Sequence, residues 1–205
     1  MIRLTETVKH LIIVNVLIMV VIAGLDMAYV PIPDLRVFFP TSDYFKPYQL
    51  VTNMFIHSSE GIGHLFFNML LLFFIGPMVE DALGSKKFLI VYLTAGLFCS
   101  FFDWMVTYGM VQGGMMEMRR VLNTGHLGAS GAVFGIVGAY GWLFPDRQLT
   151  LLIPPIPIKA KYLVLLLLVV GFLMDREGNV GHYAHLGGAL AGIGLIYFWR
   201  KSRTI

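Results

Sequence analysis

Six apolar runs, each near the length needed to cross a bilayer, divide this chain at roughly 8–25, 62–80, 88–109, 128–145, 160–174 and 181–199. A helix rises about 1.5 Å per residue, so about 17 to 25 apolar residues cross a hydrocarbon core roughly 30 Å thick. Backbone in lipid must satisfy its own polar groups, which restricts spanning structures to helices and closed barrels. Runs of this length predict an all-α fold: a polytopic membrane protein with six transmembrane helices and one membrane domain over residues 1–205. Pro145 ends the fourth run, and Pro154, Pro155 and Pro157 stiffen the turn before the fifth. The fifth run is short, as expected of a tilted or loosely held helix. The first run has the length of a signal peptide but lacks a small-x-small cleavage site, so it is read as a retained helix.

Composition agrees. Hydrophobic residues make up 57% of the chain, charged residues 13%, and the mean hydropathy is +0.75. A soluble domain carries about 25% charged residues. The net charge of +3 does not point to nucleic acid, because the basic residues are scattered and sit mainly at the ends of apolar runs. Ten of them (Arg3, Lys9, Lys86, Lys87, Arg147, Lys159, Lys161, Arg200, Lys201 and Arg203) fall on one side of the expected topology. Five (Arg36, Lys46, Arg119, Arg120 and Arg176) fall on the other, which puts both termini in the cytoplasm. Cys99 is the only cysteine, so no intrachain disulfide forms, and it is read as a packing residue.

The loop between the first two runs, about 26–61, is long for a compact protein. It mixes Pro31, Pro33, Pro40 and Pro47 with Phe38, Phe39, Tyr44, Phe45, Tyr48 and Phe55, too many aromatics for disorder. It is expected to lie partly in the interfacial layer, where amphipathic rings settle.

The fourth run opens with Gly128-Ala-Ser130-Gly131 and continues with Gly135 and Gly138. Gly131, Gly135 and Gly138 give one small helix face. In the sixth run Gly188 and Gly192 follow His185 by three and seven residues, so His185 lies on that run's small face. Two small faces in contact bring Ser130 and His185 within hydrogen-bond reach, as a nucleophile and base require. Such faces are also common packing devices, and Ser is tolerated in membrane helices, so the glycine pattern alone fits packing better than catalysis. An ionisable side chain inside a span is costly, which makes His185 the stronger signal. His64 and Asn68, four residues apart in the second run, share a face and both donate hydrogen bonds. They fit an oxyanion site together with the Ser130 amide, or a polar pair bonding its neighbours.

In order along the chain, His64-x-x-x-Asn68, the run from Gly76 through Glu80 and Gly84 to Phe88, Gly128-Ala-Ser130-Gly131, and Ala184-His185-x-x-Gly188-x-x-x-Gly192 resemble the rhomboid family of intramembrane serine proteases. The resemblance runs from about Pro47 to Gly192. It implies a six-transmembrane-helix bundle with a lateral loop between helices one and two. It also implies Ser130 as nucleophile, His185 as base without a catalytic Asp, and an oxyanion hole of His64, Asn68 and the Ser130 amide. Phe134 matches an aromatic that stacks on the catalytic His, and Gly128 the position before the active-site turn. The fifth helix and the loop after it match a gate, which Phe172 and Leu173 help to form. The implied substrate is a transmembrane protein in the lipid bilayer, with no metal and no organic cofactor.

Two departures stand out. Tyr48-Gln49 occupy the place of the family's Trp-Arg, and Glu80-Asp81-Ala82 that of its Glu-x-Arg. Glu80 therefore needs another partner or sits at the boundary near Lys86 or Lys87. Among the other polar residues, His182 is read as a solvated residue near the outer surface, His126 as a loop residue, His57 as a stabiliser of the lateral loop, and Asp103 as reaching the outer interface. His182 and His185 do not make a metal site, because no His-Glu-x-x-His run or matching carboxylates accompany them. A catalytically silent rhomboid-like protein that binds membrane helices is the alternative reading. A transporter would need polar residues continuing to the cytoplasmic side, whereas here they gather in the outer half. The expected location is a bacterial inner membrane.

Overall fold

The computed structural model describes residues 3–57, 62–150, 155–174 and 181–205. Pro154 and Arg176 lie outside these residues. The chain runs through α1 (Glu6–Met27), α2 (Gln49–Thr52), a 3-10 turn (Asn53–Phe55), α3 (Ile62–Leu83), α4 (Ser85–Gln112), α5 (Met118–Asn123) and α6 (Ser130–Leu143). It continues through β1 (Gln148–Thr150), β2 (Pro157–Lys159), α7 (Ala160–Met174) and α8 (His182–Lys201). β1 and β2 pair antiparallel with Leu149 opposite Ile158.

Each apolar run carries a helix, with shifted ends. The third, expected over 88–109, extends over Ser85–Gln112. The fourth, expected over 128–145, covers only Ser130–Leu143, because Gly128 and Phe144 take non-helical dihedrals at its two ends. Among the described residues, three helices, α1, α3 and α4, are long and apolar enough to cross a membrane, and α6 and α7 are shorter apolar helices.

α6 is the centre of the fold: every residue from Gly131 to Gly141 is buried. It packs most extensively against α8 and α4, then against α3 and α7. Small residues make this possible. A Cβ on Gly188 would collide with the Gly131 carbonyl oxygen, and one on Gly192 with that of Gly135. A Cβ on Gly138 would lie 2.6 Å from the Ala189 carbonyl oxygen. Lipid tails are as apolar as leucine, so close van der Waals packing of this kind holds membrane helices together. Two guanidinium contacts, Arg200 to the carbonyls of Trp142 (3.5 Å) and Leu143 (3.4 Å), finish the C-terminal end of α6. Among its described side chains, α7 buries Ala160 and Leu163 near its start, and its far end exposes Val169, Val170, Phe172 and Leu173.

The structure answers the question of Glu80. Its carboxylate accepts hydrogen bonds from the Thr5 hydroxyl, the backbone N–H of Thr7 (3.0 Å) and Val8 (3.0 Å), and the Ser85 hydroxyl (2.6 Å). It thus caps α1, whose own N-cap residue Thr5 makes no capping bond. A negative charge at a helix N-terminus meets unpaired amides and the positive end of the dipole. The expected neighbour Lys87 instead donates to the Thr204 carbonyl and sits over the Trp199 ring.

Gln49, where the resemblance led one to expect a degenerate motif, is almost fully buried. Its amide group donates to the carbonyls of Asp34 and Tyr44, both at 3.0 Å, and its oxygen accepts the Lys46 N–H at 2.9 Å. One neutral side chain thereby ties together three points of the loop between α1 and α3. That loop also seats Met54 on Gly96 of α4.

Candidate active site

Backbone entering α6 must turn from a loop into a helix beside other packed chain. Gly128 makes the turn with φ +123°, a region that side chains strongly disfavour. Its N–H donates to the Asn53 carbonyl at 2.9 Å, and two residues earlier His126 pairs with Val37 in an isolated antiparallel bridge. The lateral loop therefore fixes this approach at two points. Ala129 is the N-cap of α6 and Ser130 its first residue. The first amides of a helix have no intrahelical acceptor, so unpaired N–H groups collect around Ser130.

His185 lies in the first turn of α8, where its N–H donates to the Gly181 carbonyl at 3.0 Å. Contact between the Gly188 and Gly131 backbones leaves the side chain one turn earlier on α8 facing the start of α6. His185 Nε2 and Ser130 Oγ lie 2.8 Å apart. With Nε2 unprotonated, the hydroxyl donates to it. Phe134, one turn further along α6, stacks on the imidazole with ring centroids 4.4 Å apart and planes 3° from parallel.

His64 borders the same place. A Cβ on Gly128 would lie 2.6 Å from His64 Cε1, 2.9 Å from its Nε2 and 3.5 Å from Ser130 Oγ. The missing side chain leaves a notch between that imidazole and the hydroxyl. Asn68 stands one turn further along α3, buried, with its amide donating to the His64 carbonyl at 3.0 Å. The Asn68 amide also lies 3.5 Å from His57 Nε2, and the His57 and His64 rings meet edge to face at 5.2 Å. Burial, with His64 beside it, pushes His57 down to about 4, so its ring is neutral near pH 7.

The structure thus brings Ser130, His185, Phe134, Gly128 and His64 together, with Gly131 and Gly188 at the backbone contact beneath them. Asn68 reaches the group through His64 and His57. Asp103 is 6% exposed and faces His126 of the loop before α6. His182 packs its ring on Phe172, 5.4 Å between centroids, linking the end of α7 to the start of α8. The rest of the expected gate, residues 175–180, lies outside the described residues. Sequence reasoning missed two features: the Asn53 carbonyl, because a backbone acceptor leaves no trace in residue type, and the seat of His57 against Asn68, which no helical period signals.

A family model for the rhomboid domain matches residues 44–202. The chain belongs to the rhomboid family. It is an integral membrane protein, as its apolar helices require. Curated rhomboids are similar over most of it. "Rhomboid protein 1, mitochondrial" of Saccharomyces cerevisiae is 30% identical over 72% of this chain and 40% of the relative. "Putative rhomboid protease YdcA" of Bacillus subtilis is 30% identical over 71% of this chain and 63% of the relative. "Rhomboid protease GlpG" of Yersinia pestis is 25% identical over 80% of this chain and 53% of the relative. The chain therefore spans about two fifths to two thirds of the length of these rhomboids.

Proposed function

We propose that this rhomboid is an intramembrane serine endopeptidase that cleaves transmembrane segments of membrane proteins with a Ser130–His185 dyad. The observation that carries the proposal is the 2.8 Å approach of His185 Nε2 to Ser130 Oγ. Relatives named as proteases support the same reading.

As the Ser130 hydroxyl attacks the scissile carbonyl carbon, its proton passes to His185 Nε2. The carbonyl oxygen takes up negative charge and turns into the notch beside Gly128. There the His64 ring, the Ser130 amide and the first turn of α6 provide donors, with Asn68 behind His64. Collapse of the intermediate breaks the peptide C–N bond, and the leaving amine takes the proton from His185. The acyl group stays on Ser130 as an ester. Water, deprotonated by His185, attacks the ester, and the proton returns to Ser130 as the acid product leaves. Phe134 keeps the imidazole plane aligned throughout. No step requires a metal or organic cofactor.

In this reading six helices cross the bilayer with both termini in the cytoplasm, Ser130 and His185 open toward the outer side, and the membrane is a bacterial inner membrane. The substrate helix enters laterally beside α7, whose exposed far end makes few contacts with the rest of the fold.

Labelling of the detergent-purified protein by a fluorophosphonate tests the proposal without knowledge of the substrate. Labelling of wild type, with none in Ser130→Ala and His185→Ala, is the expected result. Folded wild type that reacts with neither a small fluorophosphonate nor a model transmembrane substrate would instead identify a catalytically silent protein that binds membrane helices.

A further inference from the structure

A pairing of an acid with a histidine lies just outside the dyad. Asp103 Oδ2 and His126 Nε2 are 3.7 Å apart, with side chains 8% and 38% exposed. A buried carboxylate on a membrane helix is costly unless a cation meets it. The next residue on α4, Trp104, makes ring contacts with Phe39, Phe45 and Phe101, an aromatic cluster of the kind that marks a membrane–water boundary.

His126 is anchored on every side that matters to the dyad. Its backbone N–H and carbonyl bond to Val37 at 2.8 and 2.9 Å. A Cβ on Gly181 would lie 3.8 Å from its Nδ1, and Gly181 supplies the carbonyl that holds the His185 N–H. Gly128 follows two residues later and Ser130 four. The ring therefore stands between α4 and the start of α8, on the segment that delivers the nucleophile. Other titratable or charged groups on the surrounding elements are Arg36 on the lateral loop, His182 and His185 on α8, and Cys99 on α4. Arg36 is engaged by Asp34 at 2.6 Å, and His185 by Ser130.

We infer that Asp103 and His126 form a positioning ion pair that clamps residues 124–129 to α4 and so sets Ser130 against His185. What it positions rests on the dyad reading; the clamp itself does not.

Hydrogen–deuterium exchange of residues 124–131 tests this in the whole chain, comparing wild type, Asp103→Asn, His126→Gln and the double variant. Each single variant is expected to exchange about two- to fivefold faster than wild type, with the double variant no faster than either. Additive effects would overturn the ion pair and leave two separate packing roles. If Asp103→Asn does not fold, His126→Gln decides alone: exchange at the wild-type rate overturns the clamp. Fluorophosphonate labelling of the same samples separates the two readings. An unlabelled wild type with the exchange pattern intact removes the enzyme reading and leaves the clamp. A labelled wild type with a flat exchange pattern removes the clamp alone. Faster exchange with an unchanged labelling rate also overturns the positioning role.

Discussion

Phe134 lies flat against the imidazole of His185, planes 3° from parallel and centroids 4.4 Å apart. The stack fixes ring rotation about the bond that would otherwise swing Nε2 away from Ser130 Oγ. Stacked aromatic pairs contribute about 0.5–1.5 kcal/mol beyond area burial. Phe134→Ala is therefore expected to slow fluorophosphonate labelling by about two- to twelvefold in folded protein, while Phe134→Tyr keeps most of the rate. An alanine variant that labels at the wild-type rate would remove the stack from the mechanism.

Donors to a developing oxyanion substitute for one another in part. Loss of one critical donor costs about 2.7–4 kcal/mol. His64→Ala and Asn68→Ala are each expected to lose much of the acylation rate but not all of it, unlike His185→Ala. His64 borders the notch directly and Asn68 acts behind it, so His64→Ala is the larger loss. Single-turnover acylation rates compare them, and a full-rate Asn68→Ala would withdraw its role.

Backbone contact between α6 and α8 leaves no room for side chains. A Cβ on Gly192 would run into the Gly135 carbonyl, whereas one on Gly194 has nothing within 4 Å. Gly192→Val is expected to destabilise by about 3 kcal/mol or more, or to yield no folded protein. Gly194→Ala should melt like wild type. Thermal unfolding in detergent distinguishes them, and equal melting temperatures would mean the two helices slide apart at little cost.

Glu80 holds the N-terminus of α1 through two hydroxyls and two amides. Glu80→Ala leaves those donors without their acceptor and is expected to cost about 2 kcal/mol. Glu80→Gln keeps some bonds and costs less, and Lys86→Gln costs nothing measurable. The same unfolding assay reads all three. A Lys86→Gln loss as large as that of Glu80→Ala would restore the lysine as partner.

Buried His57 titrates at about 4 in the fold, against about 6.5 when exposed. Between these values the unfolded chain binds the extra proton, so stability rises with pH across this window. As pH falls from about 6.5 to about 4, that contribution is lost. His57→Asn should flatten this part of the acid limb in melting temperatures taken across the window. An unaltered limb would assign the acid sensitivity to another group.

Ser130 and His185 were legible because the proposed catalysis and close packing would leave the same trace: glycines at helical spacing around one hydroxyl and one imidazole. Their meeting follows from Gly131 touching Gly188, which the spacing already implied. Helix ends were less legible. Gly128 belongs to the apolar run by composition but leaves the helix by its dihedral angle. Glu80 was illegible for another reason: its partners are hydroxyls and backbone amides 72 to 75 residues away, and on Ser85 close by. Amides have no residue code, so a search for an opposite charge could only propose Lys86 and Lys87. Asp103 and His126 each looked peripheral alone, since only the folded lateral loop brings residue 126 against α4.

The shortness of α6 acts as a depth gauge. Its 14 residues rise about 21 Å, against a hydrocarbon core of roughly 30 Å. With its end at Leu143, just before Pro145, standing at the inner boundary, its first residue falls about 9 Å short of the outer one. Ser130, the proposed nucleophile, is then held at a set level below the surface by a helix buried along nearly its whole length. In the proposed reaction, the bond that is cut is chosen in part by how far a target helix sinks, so that lengthening a target's outer apolar end by one turn would move the cut along its sequence.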